Sequence, residues 1–161
     1  MITTASRCLN KLNSKAGDIQ REFADIYGEQ LTVNNERQSA ITKLVEHFIK
    51  VYNEKKKIII SRAPARVNLM GRHIDHQGGY VNTIAIDKEI LLVASPRKDN
   101  IINIKNVNST QFPARELKPN TLLNIATFSD WETFVRSSQV QNLNKSIPDD
   151  WSMYILAAFY R

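Results

Sequence analysis

One cysteine, Cys8, is the entire cysteine content of this 161-residue sequence, and that scarcity excludes two kinds of site. A single thiol cannot form an internal disulfide, and it leaves no cysteine-based metal site. No motif surrounds Cys8, so we expect this side chain to be buried or incidental rather than reactive.

Long apolar runs are also missing. No stretch of about 18 apolar residues occurs, so no membrane-spanning helix is expected. Residues 1–16 lack the apolar stretch of a signal peptide, and we therefore expect a cytoplasmic protein without a membrane partner. The hydrophobic content of 42% suffices for the core of one compact domain.

The charge balance is basic, with 22 Lys and Arg against 16 Asp and Glu. The net charge of +6 permits a nucleic-acid partner. However, the dense basic run Lys55–Lys57 directly precedes Ile58–Ile60, which is typical of a solvated turn before a buried strand. An anionic small ligand, such as a nucleotide or an acidic sugar, explains the balance equally well, so no nucleic-acid partner is expected.

The first third of the sequence has helical periodicity. One apolar stripe runs from Ile19 to Tyr27, and Gly28 is a plausible stop. A clearer stripe covers Ile41–Ile49, and Asn35 with Gln38 resembles a capping pair at the start of that helix.

From residue 57 the pattern changes to short apolar runs that are typical of strands. The three isoleucines within Lys57–Arg62 favour a buried strand. The turn signal Ser95–Asn100 predicts a hairpin between Ile90–Ala94 and Ile101–Ile104. The remaining apolar runs are Val67–Met70 and Val81–Ile86.

Two further helices are predicted near the end. Ser129 or Asp130 is expected to cap the first, and Asp149 or Asp150 to cap the second, which covers Trp151–Tyr160. Because this last apolar helix lacks a C-cap before the sequence ends, we expect the natural chain to continue.

The segment 63–79 concentrates groups that can bind a ligand: Arg66, Asn68, Arg72, His73, Asp75, His76 and Gln77. Residues 66 and 68 would share one face of a strand. Gly78 and Gly79 permit a tight turn and a close approach of the backbone to a ligand. A carboxylate and an imidazole in this turn suit hydroxyl groups, because they accept and donate hydrogen bonds.

Three interpretations of this segment compete. It could be a solvated polar loop. It could be a metal site formed by His73, Asp75 and His76, but adjacent side chains in extended structure point apart and no fourth ligand stands out. We therefore expect no metal here and favour the third interpretation, a site for a polyhydroxyl ligand.

The same residues resemble a known family. The run A-P-A-R-V-N-L-M-G at 63–71, followed by His73-x-Asp75 and Gly78-Gly79, is similar to the galactokinase signature of the GHMP sugar kinases, A-P-G-R-V-N-L-I-G-E-H-T-D-Y-N-G-G. The clear match covers residues 58–105. It implies an α/β fold, with a helical extension over 1–56 and part of an N-terminal GHMP-kinase domain, a mixed sheet flanked by helices, over 57–161.

The resemblance also implies functions for individual residues. Arg66 would lie beside the anomeric hydroxyl of a sugar and stabilise negative charge on its oxygen. His73 and Asp75 would hold sugar hydroxyls, while Gly78 and Gly79 would shape the loop. The implied reaction of the full-length protein is phosphorylation of that anomeric hydroxyl by ATP and Mg²⁺, and the implied partner is a small sugar such as galactose.

Three departures from the family pattern matter: Ala65 replaces glycine, Arg72 replaces an acidic residue and His76 replaces tyrosine. The exchange at Arg72 reverses the charge near carbon 6 of the sugar, and a guanidinium there could pair with a carboxylate. The run from His73 to Gly79 also resembles galacturonate kinases. A uronic-acid kinase is therefore one alternative, and a non-catalytic sugar-sensing regulator is another.

The phosphate loop of the family, P-x-x-x-G-L-x-S-S, has no counterpart among the five glycines, and neither has the catalytic aspartate that follows it. The ATP and Mg²⁺ sites are thus expected beyond residue 161, and this chain alone is expected to be inactive. Half of a composite sheet would leave apolar surface exposed, which favours self-association.

Overall fold

A computed structural model describes residues 2–14, 17–71, 73–118, 128–146 and 150–160, apart from the side chain of Asp75. The chain forms two compact units, Met1–Pro96 and Arg97–Arg161. Helices accompany β-sheets in both units, which confirms the α/β fold class. All pairings between the described strands are antiparallel. No helix in these ranges is long and apolar enough to cross a membrane.

The first unit combines three helices with a long hairpin. Its elements in chain order are β1 (Thr3–Thr4), α1 (Ala5–Asn13), α2 (Gly17–Tyr27), α3 (Leu31–Val51), β2 (Lys57–Met70), a 3₁₀ helix (Asp75–Gln77) and β3 (Asn82–Ala94). The sheet order is β1-β2-β3.

The helices of this unit bury one face each against the start of the hairpin. The buried core consists of Ala5, Leu12, Ile19, Phe23, Ile41, Val45, Phe48 and Ile58. Both predicted apolar stripes are therefore confirmed as packing surfaces. Cys8 also packs against this core, and burial raises the pKa of its thiol, as expected for a non-reactive cysteine. Gly28 follows α2 with φ +84°, and its N–H donates to the carbonyl of Ala24 at 2.8 Å, which confirms the predicted stop.

The predicted start of α3 is wrong. The helix begins at Leu31, so Asn35 and Gln38 lie inside it and form no capping pair. The additional turn is stabilised by Asn34, whose Nδ2 donates to the carbonyl oxygen of Gly28 at 2.9 Å. The Gln38 amide instead donates to a carbonyl of α1 and links the two helices.

The apolar runs predicted after residue 57 join into two long strands. β2 continues through Pro64, which has a neighbour among the described strands on one edge only, and there a missing N–H is tolerated. Side chains alternate between the two faces, so Ile58 is 1% exposed while Ile59 is 46% exposed. The prediction of a buried strand is therefore confirmed at Ile58 and wrong at Ile59.

The face of the hairpin opposite the helices is apolar and open to solvent. Its large exposed side chains are Ile59, Val67, Ile84, Ile86, Ile90 and Leu92. They meet in cross-strand pairs such as Val67 with Ile84. Such a surface is consistent with the expected exposure of half a sheet.

The second unit contains β4 (Ile102–Ile104), β5 (Arg115–Leu117), α4 (Trp131–Arg136), α5 (Ser138–Ser146) and α6 (Met153–Tyr160). Its buried core is formed by Ile104, Leu117, Phe134, Leu156 and Tyr160. The strand predicted at Ile101–Ile104 exists, but its described partner is β5 and the predicted hairpin with Ile90–Ala94 is wrong. At the start of this unit, Arg97 Nε donates a hydrogen bond to Asp99 Oδ1 at 2.7 Å.

The caps of the second unit agree in part with prediction. Asp130 caps α4 as expected, since its Oδ1 accepts the N–H of Thr133 at 2.8 Å. That N–H is the main reason why the pKa of Asp130 lies below its usual value. α6 begins at Met153, later than predicted, because Asp150 accepts the N–H of Ser152 at 2.9 Å in a turn before the helix. The alternative cap, Asp149, lies outside the described residues.

Candidate functional site

The candidate residues lie at the closed end of the β2–β3 hairpin. Arg66 pairs with Ala85 and Asn68 pairs with Thr83 in the antiparallel register. Positions 66 and 68 therefore share one face of β2, as the alternation predicts. Both side chains are exposed, so they are accessible to a ligand from solvent.

Three backbone hydrogen bonds fold the connection between the strands. The N–H of Ile74 donates to the carbonyl of Gly71 at 3.3 Å, and the N–H groups of Gln77 and Gly79 both donate to the carbonyl of Ile74, at 3.1 and 2.9 Å. The result is a compact turn around one carbonyl group. His73 adopts φ +62°, which is uncommon for a residue other than glycine.

Glycine is required at Gly71 and Gly79 for steric reasons. Gly71 has φ +80°, and a Cβ atom there would lie 2.3 Å from the carbonyl oxygen of Tyr80. A Cβ atom on Gly79 would lie 2.8 Å from Cδ1 of Ile74. Gly78 has φ +79° with open space around it, so only its backbone conformation favours glycine.

The structure locates most, but not all, of the predicted ligand-binding residues. His73 and His76 are exposed within the turn, and Nε2 of His76 is 3.3 Å from Nε2 of Gln77. Arg72 lies outside the described residues, as does the side chain of Asp75. The convergence of Arg66, His73 and Asp75 on one ligand therefore stays a prediction.

The described residues offer no evident site for a metal ion or a nucleotide. No three His, Cys, Asp or Glu side chains among them are placed to hold a metal. The Asp75 side chain lies outside the described residues, so the interpretation of His73, Asp75 and His76 as metal ligands is not tested. No described helix is opened by a glycine-rich loop, and the N-terminus of α4 is occupied by the carboxylate of Asp130. These residues do not fit the phosphates of ATP.

A charged cluster beside the hairpin escaped the sequence analysis. The Glu89 carboxylate, whose side chain is 4% exposed, accepts the Tyr27 hydroxyl at 2.9 Å and Arg62 Nε at 3.0 Å. Arg62 also lies over the Tyr27 ring, 4.7 Å from its centroid. Burial is the main cause of the raised pKa of Tyr27, and the hydrogen bond to Glu89 adds to it. The available signal was the charged trio 87–89 between two apolar runs.

The hairpin and its turn are similar to a known family model. The family model described as the galactokinase galactose-binding signature matches residues 46–96. This range contains the end of α3, both long strands and the turn between them. The match confirms, over residues 46–96, the resemblance inferred from the motif.

Individual relatives agree with that assignment. A galactokinase of Dictyostelium discoideum is 36% identical over 107 residues, which are 65% of this chain and 21% of the relative. One of Roseiflexus sp. is 40% identical over 62 residues, 38% of this chain and 16% of the relative. The human galactokinase is 31% identical over 100 residues, 53% of this chain and 25% of the relative. The chain thus spans a quarter or less of these relatives. No solved structure matches it.

Proposed function

We propose that this chain supplies the sugar-holding segment of a galactokinase-type kinase, which phosphorylates the anomeric hydroxyl of galactose or a related sugar. One observation carries the proposal: the galactose-binding signature over residues 46–96 coincides with the glycine-dependent turn Gly71–Gly79. A turn that excludes side chains at two positions while exposing two histidines is suited to a small polar ligand.

The proposed roles follow from the chemistry of each group. The guanidinium of Arg66 lies beside the anomeric oxygen and stabilises the negative charge that develops on it. His73, Asp75 and His76 hold hydroxyl groups, because imidazole and carboxylate together supply donors and acceptors. Gly78 and Gly79 have no side chains, so the ring of the sugar can approach the backbone closely.

ATP is the phosphoryl donor in this proposal, and Mg²⁺ neutralises its phosphate charge. The described residues do not fit either group, so no phosphoryl-transfer step is assigned to them. Their contribution is to bind and orient the sugar, which is a large part of catalysis when transfer depends on positioning. We accordingly propose that the 161-residue chain does not phosphorylate sugars by itself.

A second candidate substrate is a uronic acid. The observation that favours it is Arg72, which stands where the family pattern has an acidic residue. A carboxylate at carbon 6 of the sugar would be repelled by an acid, whereas a guanidinium can bind it through two hydrogen bonds. The net charge of +6 is in keeping with an acidic substrate.

The test is ADP release by the complete gene product with galactose, galacturonate and glucuronate, with the 161-residue chain assayed in parallel. We expect turnover with at least one sugar, and only from the complete product. Measurable sugar binding without turnover would replace the kinase by a sugar-sensing regulator. No binding of any of the three sugars would overturn both proposals.

A further inference from the structure

The register of the β2–β3 hairpin contains an irregularity directly before Arg66. Pro64 pairs with Glu89, but Arg66 pairs with Ala85. One residue of β2, Ala65, therefore faces three residues of β3, the segment 86–88, which is called the bulge below. Bulges bend a strand, increase its twist and change the direction of neighbouring side chains, and they are common beside functional sites.

The apolar pattern of the strands does not specify this bulge. Without it, continued pairing from Pro64 and Glu89 would bring Arg66 opposite Asp87, a slip of two residues or about 7 Å along β3. A slip of one residue would move every side chain to the other face, whereas a slip of two leaves each on its original face. The burial of apolar side chains is therefore nearly the same in both registers.

Polar contacts from α3 reach the bulge and the residue that follows it. Nη2 of Arg37 donates a hydrogen bond to the carbonyl oxygen of Asp87, inside the bulge. Nε of the same guanidinium lies 3.8 Å from Oε1 of Glu89, at the end of the bulge. The Arg37 side chain is 20% exposed and the Glu89 side chain 4%, so this ion pair is partly shielded from water, whereas the hydrogen bond to Asp87 is exposed.

Glu89 is itself held from two other elements. Tyr27 of α2 donates its hydroxyl to both carboxylate oxygens, at 2.9 and 3.2 Å. Arg62 of β2 donates from Nε at 3.0 Å. A buried carboxylate with several charge-assisted partners has little freedom to move. Since buried ion pairs often stabilise no better than apolar residues of the same volume, specifying a geometry is the better-attested use of such a cluster.

We propose that Arg37 and Glu89 are positioning residues, which hold the bulge opposite Ala65 and thereby fix the place of Arg66 at the sugar site. The register part of this inference stands on the hydrogen bonds alone. The link to the sugar rests on the proposed function. Neither residue touches the sugar, so both act through the strand that carries Arg66.

The test compares Arg37→Met with the control Lys43→Met, an exposed lysine of the same helix. Cross-strand NOEs in the 161-residue chain report the register directly, because Val67 faces Ile84 now and would face Ile86 after the slip. We expect Arg37→Met to lose the Val67–Ile84 contact and Lys43→Met to keep it. In the complete gene product, we expect kcat/KM with galactose to fall about 100-fold for Arg37→Met only.

The outcomes separate the two proposals. An unchanged Val67–Ile84 contact in Arg37→Met would overturn the positioning inference, whatever happens to activity. A changed register in a gene product whose parent neither binds nor phosphorylates sugar would support the register part and overturn the proposed function. If Arg37→Met does not fold, Glu89→Gln replaces it, because this change keeps the shape of the side chain and removes its charge. We again expect the Val67–Ile84 NOE to be lost, and an unchanged NOE would overturn the inference.

Discussion

Ile58 and Ile59 are neighbours in β2 and have opposite environments. Ile58 is 1% exposed and packs into the core formed with α1, α2 and α3, whereas Ile59 is 46% exposed on the open face of the hairpin. The pair provides a direct comparison of the same residue type on the two faces of one sheet.

We expect Ile58→Ala to lower the free energy of unfolding by about 2–5 kcal/mol, because it removes buried methyl groups and leaves a cavity. Ile59→Ala should cost about 1 kcal/mol or less, since it changes mainly strand propensity on an exposed surface. Urea titrations of both variants measure the difference. Equal losses would show that the open face is buried in solution.

Gly71 and Gly78 allow a similar comparison in the turn. Both have a positive φ, so alanine costs about 1–2 kcal/mol at either position. Only at Gly71 does the added Cβ also collide with backbone, 2.3 Å from the oxygen of Tyr80. Gly71→Ala should therefore destabilise more and speed hydrogen exchange at the Ile74 and Gly79 amides. Unchanged exchange in Gly71→Ala, with Gly78→Ala as reference, would contradict the steric argument.

The ion pair of Arg115 with Asp150 should make the second unit sensitive to acid. Arg115 Nη2 lies 2.7 Å from Asp150 Oδ2, and hydrogen bonds from Arg115 and then Ser152 lower the pKa of Asp150 to about 2. Because the folded-state pKa is depressed, the stabilisation is present above about pH 4 and is lost as the pH falls towards 2.

The variant Arg115→Gln should accordingly be less stable than the parent at pH 6, by about 1 kcal/mol or less for a partly exposed pair. The two stabilities should converge near pH 2, as measured by urea midpoints across this range. The control is Arg136→Gln, whose pair with Glu132 is 77% and 73% exposed. A difference that stays constant from pH 6 to pH 2 would exclude the ion pair as its cause.

Arg72→Glu tests the choice of sugar in the complete gene product. Because the change restores an acidic group at this position, we expect kcat/KM for galactose to rise relative to that for galacturonate. Arg72→Gln separates the loss of the positive charge from the gain of a negative one. An unchanged ratio in both variants would rule out Arg72 as the determinant of substrate charge.

Local periodicity predicted the buried faces of α2 and α3 well. The stripes Ile19–Tyr27 and Ile41–Ile49 are packing faces because a period of 3.6 residues is set by the helix itself. The start of α3 was missed because its first turn is stabilised by Asn34 reaching back to Gly28, a contact that resembles no standard cap. α5 contains no buried residue, so its sequence gives little apolar periodicity from which a helix could be predicted.

Contacts between residues that are distant in the sequence were harder to predict. The strand at Ile102–Ile104 was found, but propensity does not reveal that Arg115–Leu117 and not Ile90–Ala94 lies beside it. In the candidate site, the motif predicted the glycines of the turn, and the role of Arg66 stays a prediction. The bulge and the Glu89 cluster could not be predicted, because they depend on α2 and α3 meeting β3.

The hairpin has a consequence for how the chain assembles. Its pairs begin beside the turn, with Met70 opposite Asn82, and extend outward to Ile59 opposite Ala94. Closing the short inner loop costs little chain entropy, and each later pair extends a ribbon that already exists. Hairpins form in about 1–10 μs, whereas translation adds roughly 5–20 residues per second. The β2–β3 hairpin can therefore form and pack against the preceding helices while α4 to α6 are still being synthesised.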